Sequence, residues 1–504
     1  MTEMNELKNE ETTAKKEELQ KKYNTENLPV GYKAIPDTEF NIRVEDWFKN
    51  DNNNHEHAVR DYKHARILAY EFKDKLRYAE HRGLFTHYSG KVWESISDER
   101  IAKIASDILQ KEYLIEMKIA THEGNKQKIN DASTSLKEVC TFARIQGALS
   151  FLKGWEGIFT KYNEWDCDGW KLNVNNGTID LHDCTLHPHN PNDLITQIAP
   201  ITFDPEAEGK LWEKHLFLCI PNENIRRQIA RDIGLALIAG TLEEALPIWY
   251  GIGQNGKTTT MRIIQQILND YVKKAAANIL IQTKYDRHPT EIADLYNSRI
   301  VFSSEIDKNQ KLAEGMVKDL TGGETKKARF MRCDFFEFKQ TFHIFLLCNH
   351  KPIITGTDEG IWRRIRLIPW DVKIDDDSKL PQDIVIEMLM QESSAILNWM
   401  LAGLKDWQED QNWIAPEVTV ATSKYREESD ILKPFIDDRC EVEKNYIVHV
   451  KDLYEAYQAW AENQGEIALK RRYFNSALEG QGIRQDKDRE KRFWTGIRLK
   501  GQLL

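Results

Sequence analysis

The sequence predicts a multidomain α/β protein: a mainly helical N-terminal domain, a P-loop core on a central parallel sheet, and a C-terminal α+β module. Three observations predict it. A complete glycine-rich phosphate loop, Gly251-Ile252-Gly253-Gln254-Asn255-Gly256-Lys257-Thr258, stands between a short apolar run and a helical one. Two later strand-like runs, Arg299–Asp307 and Phe342–Cys348, lead into polar side chains, the first into a carboxylate and the second into Asn349. Helical periodicity dominates from about residue 56 to 205 and resumes after 376.

The bulk numbers exclude several classes. The 504 residues can hold several domains, with 41% hydrophobic and 30% charged residues. No apolar run approaches the ~20 residues that span a bilayer. The first residues, MTEMNELKNEETTAKKEELQKKY, lack the apolar core of a signal peptide. A cytoplasmic protein without a membrane partner is expected. The seven cysteines include no Cys-x-x-Cys pair and read as reduced thiols rather than disulfides or a zinc site. A net charge of -10 argues against coating nucleic acid over the whole surface, but leaves room for a local basic channel.

Along the chain, residues 1–55 read as a charged arm, poor in apolar side chains. The helical domain, 56–205, carries two hairpin candidates. One is Leu84–Tyr88 turning at Ser89-Gly90 into Lys91-Val92-Trp93, and the other is Lys171–Leu181 with an Asn176-Gly177 turn signal. The core is expected over 206–375, a helical extension over 376–434 after the turn-forming Asp375-Asp376-Asp377-Ser378, and the last module over 435–504.

The loop's chemistry dictates its pattern. Glycines let backbone N–H groups curl around phosphate oxygens, Lys257 neutralises the β/γ-phosphates, and the Thr258 hydroxyl ligates Mg²⁺. Gly251, Gly253, Gln254, Asn255 and Gly256, with Thr259, are expected at the nucleotide. The run Ala245–Tyr250 supplies the strand before it, and Met261, Ile264, Ile267 and Leu268 share a helical face after it. ATP with Mg²⁺ is the expected cofactor, at a helix N-terminus where the dipole favours anions.

Such a loop needs a carboxylate on a neighbouring strand to hold the metal shell and polarise water. Arg299–Asp307 offers Glu305, where the strand exits, and Asp307, which points the same way by period two. Asn349, ending Phe342–Cys348, either orients the lytic water or simply starts an Asx-Pro turn. In Gly360-Ile361-Trp362-Arg363-Arg364-Ile365, Arg364 fits an arginine finger reaching a neighbour's γ-phosphate, with Arg363 beside it at the nucleotide. The plainer alternative is an ion pair with Asp358-Glu359.

In this order the motifs resemble the superfamily 3 helicases of the AAA+ class, in the phage and plasmid primase-helicase branch that includes the poxvirus enzymes. The segments are Gly251–Thr258, Glu305, Lys318–Glu324, Asn349–Pro352 and Trp362–Ile365, with Asn176–Leu181 and Phe203-Asp204-Pro205 upstream. The resemblance implies an ATP-hydrolysing, ring-forming DNA helicase, a homo-hexamer moving 3′ to 5′ on single-stranded and forked DNA. It implies Glu305 as the Walker B acid and metal ligand, Asn349 as sensor and Arg364 as the finger in trans. It also implies a pore hairpin within Gly322–Lys339, where Lys326, Lys327, Arg329 and Arg332, after Lys318, would meet DNA; a solvated hairpin is the alternative. Relatives often carry a primase ahead of the helicase. The roughly 55 residues available here are too few, so a separate primase is expected.

Between 470 and 500 ten Lys/Arg face four Asp/Glu, a local charge of +6. Helix, helix and a basic turn between two strands resemble a winged helix. Lys470, Arg471 and Arg472 at a helix start and Lys491 and Arg492 on the wing are the candidate duplex contacts, against a solvated scaffold. A rival reading follows, a replication initiator whose C-terminal module binds origin DNA. A small-molecule P-loop kinase is the third, and it leaves Arg363-Arg364 unexplained.

Overall fold

The computed structural model describes residues 55–283, 289–304, 308–331, 334–356, 359–375, 380–430, 432–465, 468–488 and 491–501. The expected arm, through residue 54, lies outside them. The chain divides into two compact units, the first ending at Cys167 with His189–Gln197 added, the second comprising Asp168–Pro188 and everything from Ile198.

In the first unit, α1 (His55–Glu71), α2 (Asp98–His122), α3 (Lys126–Glu138) and α4 (Phe142–Lys153) pack beside a small sheet of β1 (Leu76–Ala79), β2 (Leu84–Tyr88), β3 (Trp93–Ser95) and β4 (Phe159–Thr160). Side chains start the longer helices. Ser97 accepts from Arg100 N to cap α2, and Asn125 accepts from Lys128 N to cap α3. The first expected hairpin is present, with Tyr88 opposite Trp93 and Gly90 at φ +96° in the turn.

The second unit begins with the other expected hairpin, β5 (Lys171–Val174) and β6 (Gly177–Asp180), joined by β7 (Thr185–His187). Its turn residues are Asn175 and Asn176, because Val174 pairs with Gly177. Gly177 belongs to the strand, where a Cβ would come within 2.3 Å of the His187 carbonyl oxygen. This hairpin falls outside the helical unit, contrary to the expected 56–205 boundary. Leu172, Val174, Ile179 and Phe203 bury themselves in the core shared by Ile229, Trp249 and Ile264.

Helices α5 (Lys210–Cys219) and α6 (Glu223–Leu235) lead into β8 (Leu246–Tyr250), α7 (Lys257–Leu268) and β9 (Val272–Lys274). Then follow α8 (Pro289–Ala293), β10 (Ile300–Ser304), α9 (Glu314–Thr321), the hairpin β11 (Thr325–Arg329) and β12 (Phe335–Lys339), β13 (His343–Cys348), α10 (Glu359–Trp362) and β14 (Ile365–Pro369). Five of these strands form one sheet in the order β14-β8-β13-β10-β9, every neighbouring pair parallel. Its central strands are buried along nearly their whole length and mostly apolar, as strands covered on both faces are.

The segment expected as a separate extension packs into this same core. It comprises α11 (Gln382–Met390), α12 (Ser393–Glu409) and α13 (Pro416–Ser429). Helices α6 and α12 approach so closely that a Cβ on Gly403 would lie 2.0 Å from Ala230 O, and one on Gly234 2.3 Å from Leu404 N. Only glycine fits at that crossing.

The last module runs α14 (Lys433–Arg439), β15 (Cys440–His449), α15 (Val450–Asn463), α16 (Arg471–Gly480), β16 (Arg484–Asp488) and β17 (Lys491–Leu499). Its strands pair antiparallel in the order β15-β17-β16 around a core with Phe435, Tyr457, Phe474 and Trp494. Among the described residues no helix is long and apolar enough to cross a membrane, and the described cysteines are free thiols.

Candidate nucleotide site and nucleic-acid surfaces

The loop after β8 is shaped by close contacts and left-handed backbone. Gly251 lies where a Cβ would meet Trp370 O at 2.2 Å, and Gly256 where one would meet Cys219 Sγ at 2.2 Å. Gly253, Gln254 and Gly256 all have positive φ (+98°, +53° and +82°), a curl that turns successive N–H groups toward one point. The continuation of β14 clamps it. Asn255 Nδ2 donates to Trp370 O at 2.9 Å, and Ile374 N donates to Gln254 O at 2.9 Å. Helix α7 then starts with Gly256 as its N-cap and no side-chain cap, so its first-turn donors are left for an anion.

Lys257 is the buried cation of this site, only 4% exposed. Its Nζ donates to Gly251 O (2.8 Å), Asn255 Oδ1 (3.1 Å) and Asn349 Oδ1 (3.3 Å). All three acceptors are neutral, and burial pulls the ammonium down to about 8. Asn349 directly follows β13, the strand paired with β8, and its Oδ1 thereby meets Lys257 at the loop.

A cavity of about 540 Å³ opens at this strand end, lined by Lys257, Thr258, Arg262, Lys274, Lys308 and Asn349 among others. Its described lining contains several cations and no carboxylate, which fits a polyphosphate. Ser304, the last described residue of β10, also lines it. Glu305 and Asp307 lie outside the described residues. One correction concerns their strand: β10 is not the neighbour of β8, because β13 is inserted between them.

Arg262, Lys274, Lys308 and His215 were not singled out in the sequence. Arg262 sits one turn beyond Thr258 on α7, a signal that i,i+4 spacing offers. Its guanidinium donates to Gln382 Oε1 at 3.1 Å, while Gln382 Nε2 donates to Thr259 Oγ1 at 3.0 Å. Thr259 is therefore tied to α11. Behind α7, His215 Nε2 lies 3.0 Å from Thr260 Oγ1, and burial lowers the imidazole to about 4, leaving it neutral.

The two arginines divide. Arg363 is exposed and Arg364 is 7% exposed, and both guanidinium groups meet the same Glu244 Oε2 at 2.6 Å. Arg364 is held further by Thr321 Oγ1, at 3.1 Å, and by the Gly360 carbonyl. Neither expectation for Arg364 matches this arrangement. The freely reaching finger is buried, and the acid beside it is Glu244; Glu359 pairs instead with Arg426 at 2.8 Å, and Asp358 lies outside the described residues. Both arginines lie in the turn just before β14, and of the two only Arg364 is buried.

Among the candidate nucleic-acid contacts, Lys326 is corrected. It is 4% exposed, with Nζ 2.6 Å from Asp319 Oδ1 and bonded to Asp319 O. It shares the inner face of the hairpin with Ala328 and Phe338. Lys327 is exposed and Arg329 half-buried, both over the Phe335 ring. Lys318 is half-buried on α9, and Arg332 lies outside the described residues. The described part of the tip is apolar rather than basic: Phe330 and Met331 are 42% and 77% exposed. Lys470, Arg471 and Arg472 are exposed at the start of α16, and Lys491 and Arg492 are exposed where β17 begins.

Residues 65–217 match the sequence model of the family described as D5 N terminal like, and residues 249–364 match a family of unknown function, DUF5906. The chain is 26% identical over 432 residues to the "Putative helicase L207/L206" of Acanthamoeba polyphaga mimivirus, covering 79% of this chain and 45% of that protein. It is 26% identical over 321 residues to the "Putative helicase 022R" of Frog virus 3, covering 59% and 31%. The same identity over 321 residues relates it to the "Putative primase C962R" of African swine fever virus, covering 58% and 33%. The chain thus spans less than half the length of these relatives. A solved structure of the NrS-1 C terminal region aligns with TM-score 0.46 and 10% identity, over 84% of this chain and 95% of that one.

Proposed function

We propose, from the premise that this chain belongs to the D5-like primase-helicase family, that it is an ATP-driven DNA helicase acting in replication. The observation that carries the reading is the meeting of Lys257, Thr258 and Asn349 at one strand end, in a cavity whose described lining bears cations and no acid. Lys257 and the curled N–H groups of Gly253–Gly256 would hold the phosphates, with Thr258 and Glu305 placed by the motif to hold Mg²⁺. When bound, the metal would supply charge neutralisation to the phosphates. Glu305, with Asp307 near it, would draw the proton from the attacking water, and Asn349 would orient that water.

The exposed arginine supports a ring. Arg363 is the one that can leave its own chain to reach a neighbour's phosphate, while Arg364 stays bound to Glu244 and holds the strand end in place. Assembly as a hexamer with 3′ to 5′ movement on single-stranded and forked DNA completes the proposal. The hairpin β11–β12, with Lys327 and Arg329 outward, would line the path of one strand. In the last module, the order helix, strand, helix, helix, hairpin is that of a winged helix, with α16 as the groove-reading helix and the β16–β17 turn as wing. Exposed Lys470, Arg471 and Arg472 at the start of α16 favour a second role for this module, binding origin duplex DNA as an initiator.

The test combines strand displacement on forked DNA with native mass measured with and without ATP and DNA. A ring whose ATPase rises on single-stranded DNA and which opens forks supports the reading. A monomer whose ATPase ignores DNA overturns it and favours a small-molecule kinase.

A further inference from the structure

The hairpin contains an aromatic residue that folding does not explain. Pairing runs Thr325 with Lys339, Lys326 with Phe338, Lys327 with Glu337, Ala328 with Phe336, and Arg329 with Phe335. Side chains alternate across a strand, so Lys326, Ala328, Phe336 and Phe338 share one face, and Thr325, Lys327, Arg329, Phe335, Glu337 and Lys339 the other. The first face is packed. Phe330 stacks on Phe336 (centroids 4.9 Å apart, 11° between planes), Phe336 on Phe338 (5.7 Å), and Tyr296 meets all three edge-on. Packing accounts for the aromatics there, Phe330 included, whose ring is 42% exposed but stacked on Phe336.

The second face is polar except for Phe335, which is 51% exposed. Lys327 Nζ lies 5.5 Å from its ring centroid and the Arg329 guanidinium carbon 5.0 Å. Lys327 and Arg329 flank it, with one acid (Glu337) paired to Lys327 and a third cation (Lys339) at the far end of the same face. A large ring left half in water inside a cationic face is the pairing that takes a base and its flanking phosphates together.

We propose that Phe335 is a base-stacking residue, with Lys327 and Arg329 taking the phosphates beside the stacked base. The ligand is single-stranded nucleic acid of any sequence, because every base offers a π-face and duplex bases are already stacked. This rests on the helicase reading and deepens it: the hairpin grips bases as well as backbone.

The experiment measures affinity of the full chain for an oligo-dT and for an abasic strand of equal length. Phe335→Leu keeps apolar bulk without a ring, and Phe335→Trp keeps the ring. Phe335→Leu should weaken oligo-dT binding on the order of tenfold, leave abasic binding unchanged, and abolish quenching of a 2-aminopurine base. Phe335→Trp should restore both signals, and melting temperatures of both variants should match the parent. Lys327→Ala should weaken both strands and reduce the salt slope by about 0.7. Equal losses on both strands, no loss on either, or a change in native mass with unchanged affinity would each overturn the inference, the last making Phe335 a subunit contact. Those outcomes leave the helicase reading standing; a parent chain that binds neither strand removes that reading as well.

Discussion

Arg364 and Glu244 meet at 2.6 Å just ahead of two adjacent parallel strands, and the same carboxylate oxygen also receives Arg363. Strand β8, which begins two residues after Glu244, leads directly into the glycine loop. On the proposed function, the exposed Arg363 and the buried Arg364 should respond differently to substitution. Arg363→Ala should leave the fold and nucleotide binding intact and lower ATPase by a factor on the order of a thousand, as loss of a finger does. Mixing it with Lys257→Ala subunits should restore part of the activity, since each variant supplies what the other lacks at some interfaces. Mixed rings that stay inactive would refute a role in trans.

Arg364→Ala should instead act on stability. It removes an almost fully buried cation from three partners, yet Glu244 is 42% exposed and retains Arg363. The loss is thus smaller than for a fully buried pair, about 1–3 kcal/mol, read as a lower melting temperature. An unchanged melting temperature with abolished ATPase would return the finger role to Arg364.

How far the site was legible follows from these neighbours. The loop and its lysine were readable because their chemistry fixes residue type at fixed spacing, whereas for Asn349 the local residues left an Asx-Pro turn equally open. The buried and exposed members of Arg363-Arg364 were not readable, since in a turn adjacency alone does not say which one the fold buries. The hairpin held a signal that went unused. Lys326 shares its period-two face with Ala328, and only an inward lysine with its own acid fits there. The order of the sheet was beyond reach, because inserting β13 between β8 and β10 is a long-range pairing without a local mark. The boundary at 167 was missed for a related reason. Periodicity shows that Leu172 and Ile179 face a core, but not which one.

Lys257 carries a pH dependence with a definite sign. Burial lowers its ammonium to about 8, so the site without nucleotide loses that charge as pH rises through 8. A bound polyphosphate favours the charged form, so binding above this pH takes up a proton. Affinity for a non-hydrolysable ATP analogue should stay level below 8 and weaken by up to tenfold per unit above it. Titration calorimetry in buffers of different ionisation enthalpy would detect the proton. Level affinity to a full unit above 8 contradicts this, and Lys257→Ala should abolish ATPase at every pH.

Lys326 and Lys327, adjacent in sequence, should separate cleanly. Lys326→Met removes the buried tie to Asp319, a carboxylate 45% exposed, at a cost of about 1–2 kcal/mol without altering the salt dependence of DNA binding. Lys327→Met should do the reverse. A reduced salt slope for Lys326→Met would mean that the lysine leaves Asp319 for phosphate.

The last module offers the test between helicase and initiator. Arg471 and Arg472 stand exposed in the first turn of α16, with Arg471 over the Tyr454 ring at 5.7 Å. Replacing Lys470, Arg471 and Arg472 together by Ala in the full chain should reduce the salt slope of duplex binding by about 2–3. If the module reads an origin, the parent protects one stretch of element DNA from nuclease and the triple variant loses that footprint. Loss of affinity without any sequence-specific footprint in the parent leaves α16 a general duplex grip serving the motor. Unchanged duplex affinity in the triple variant makes the basic helix start a solvated face, and removes the initiator reading.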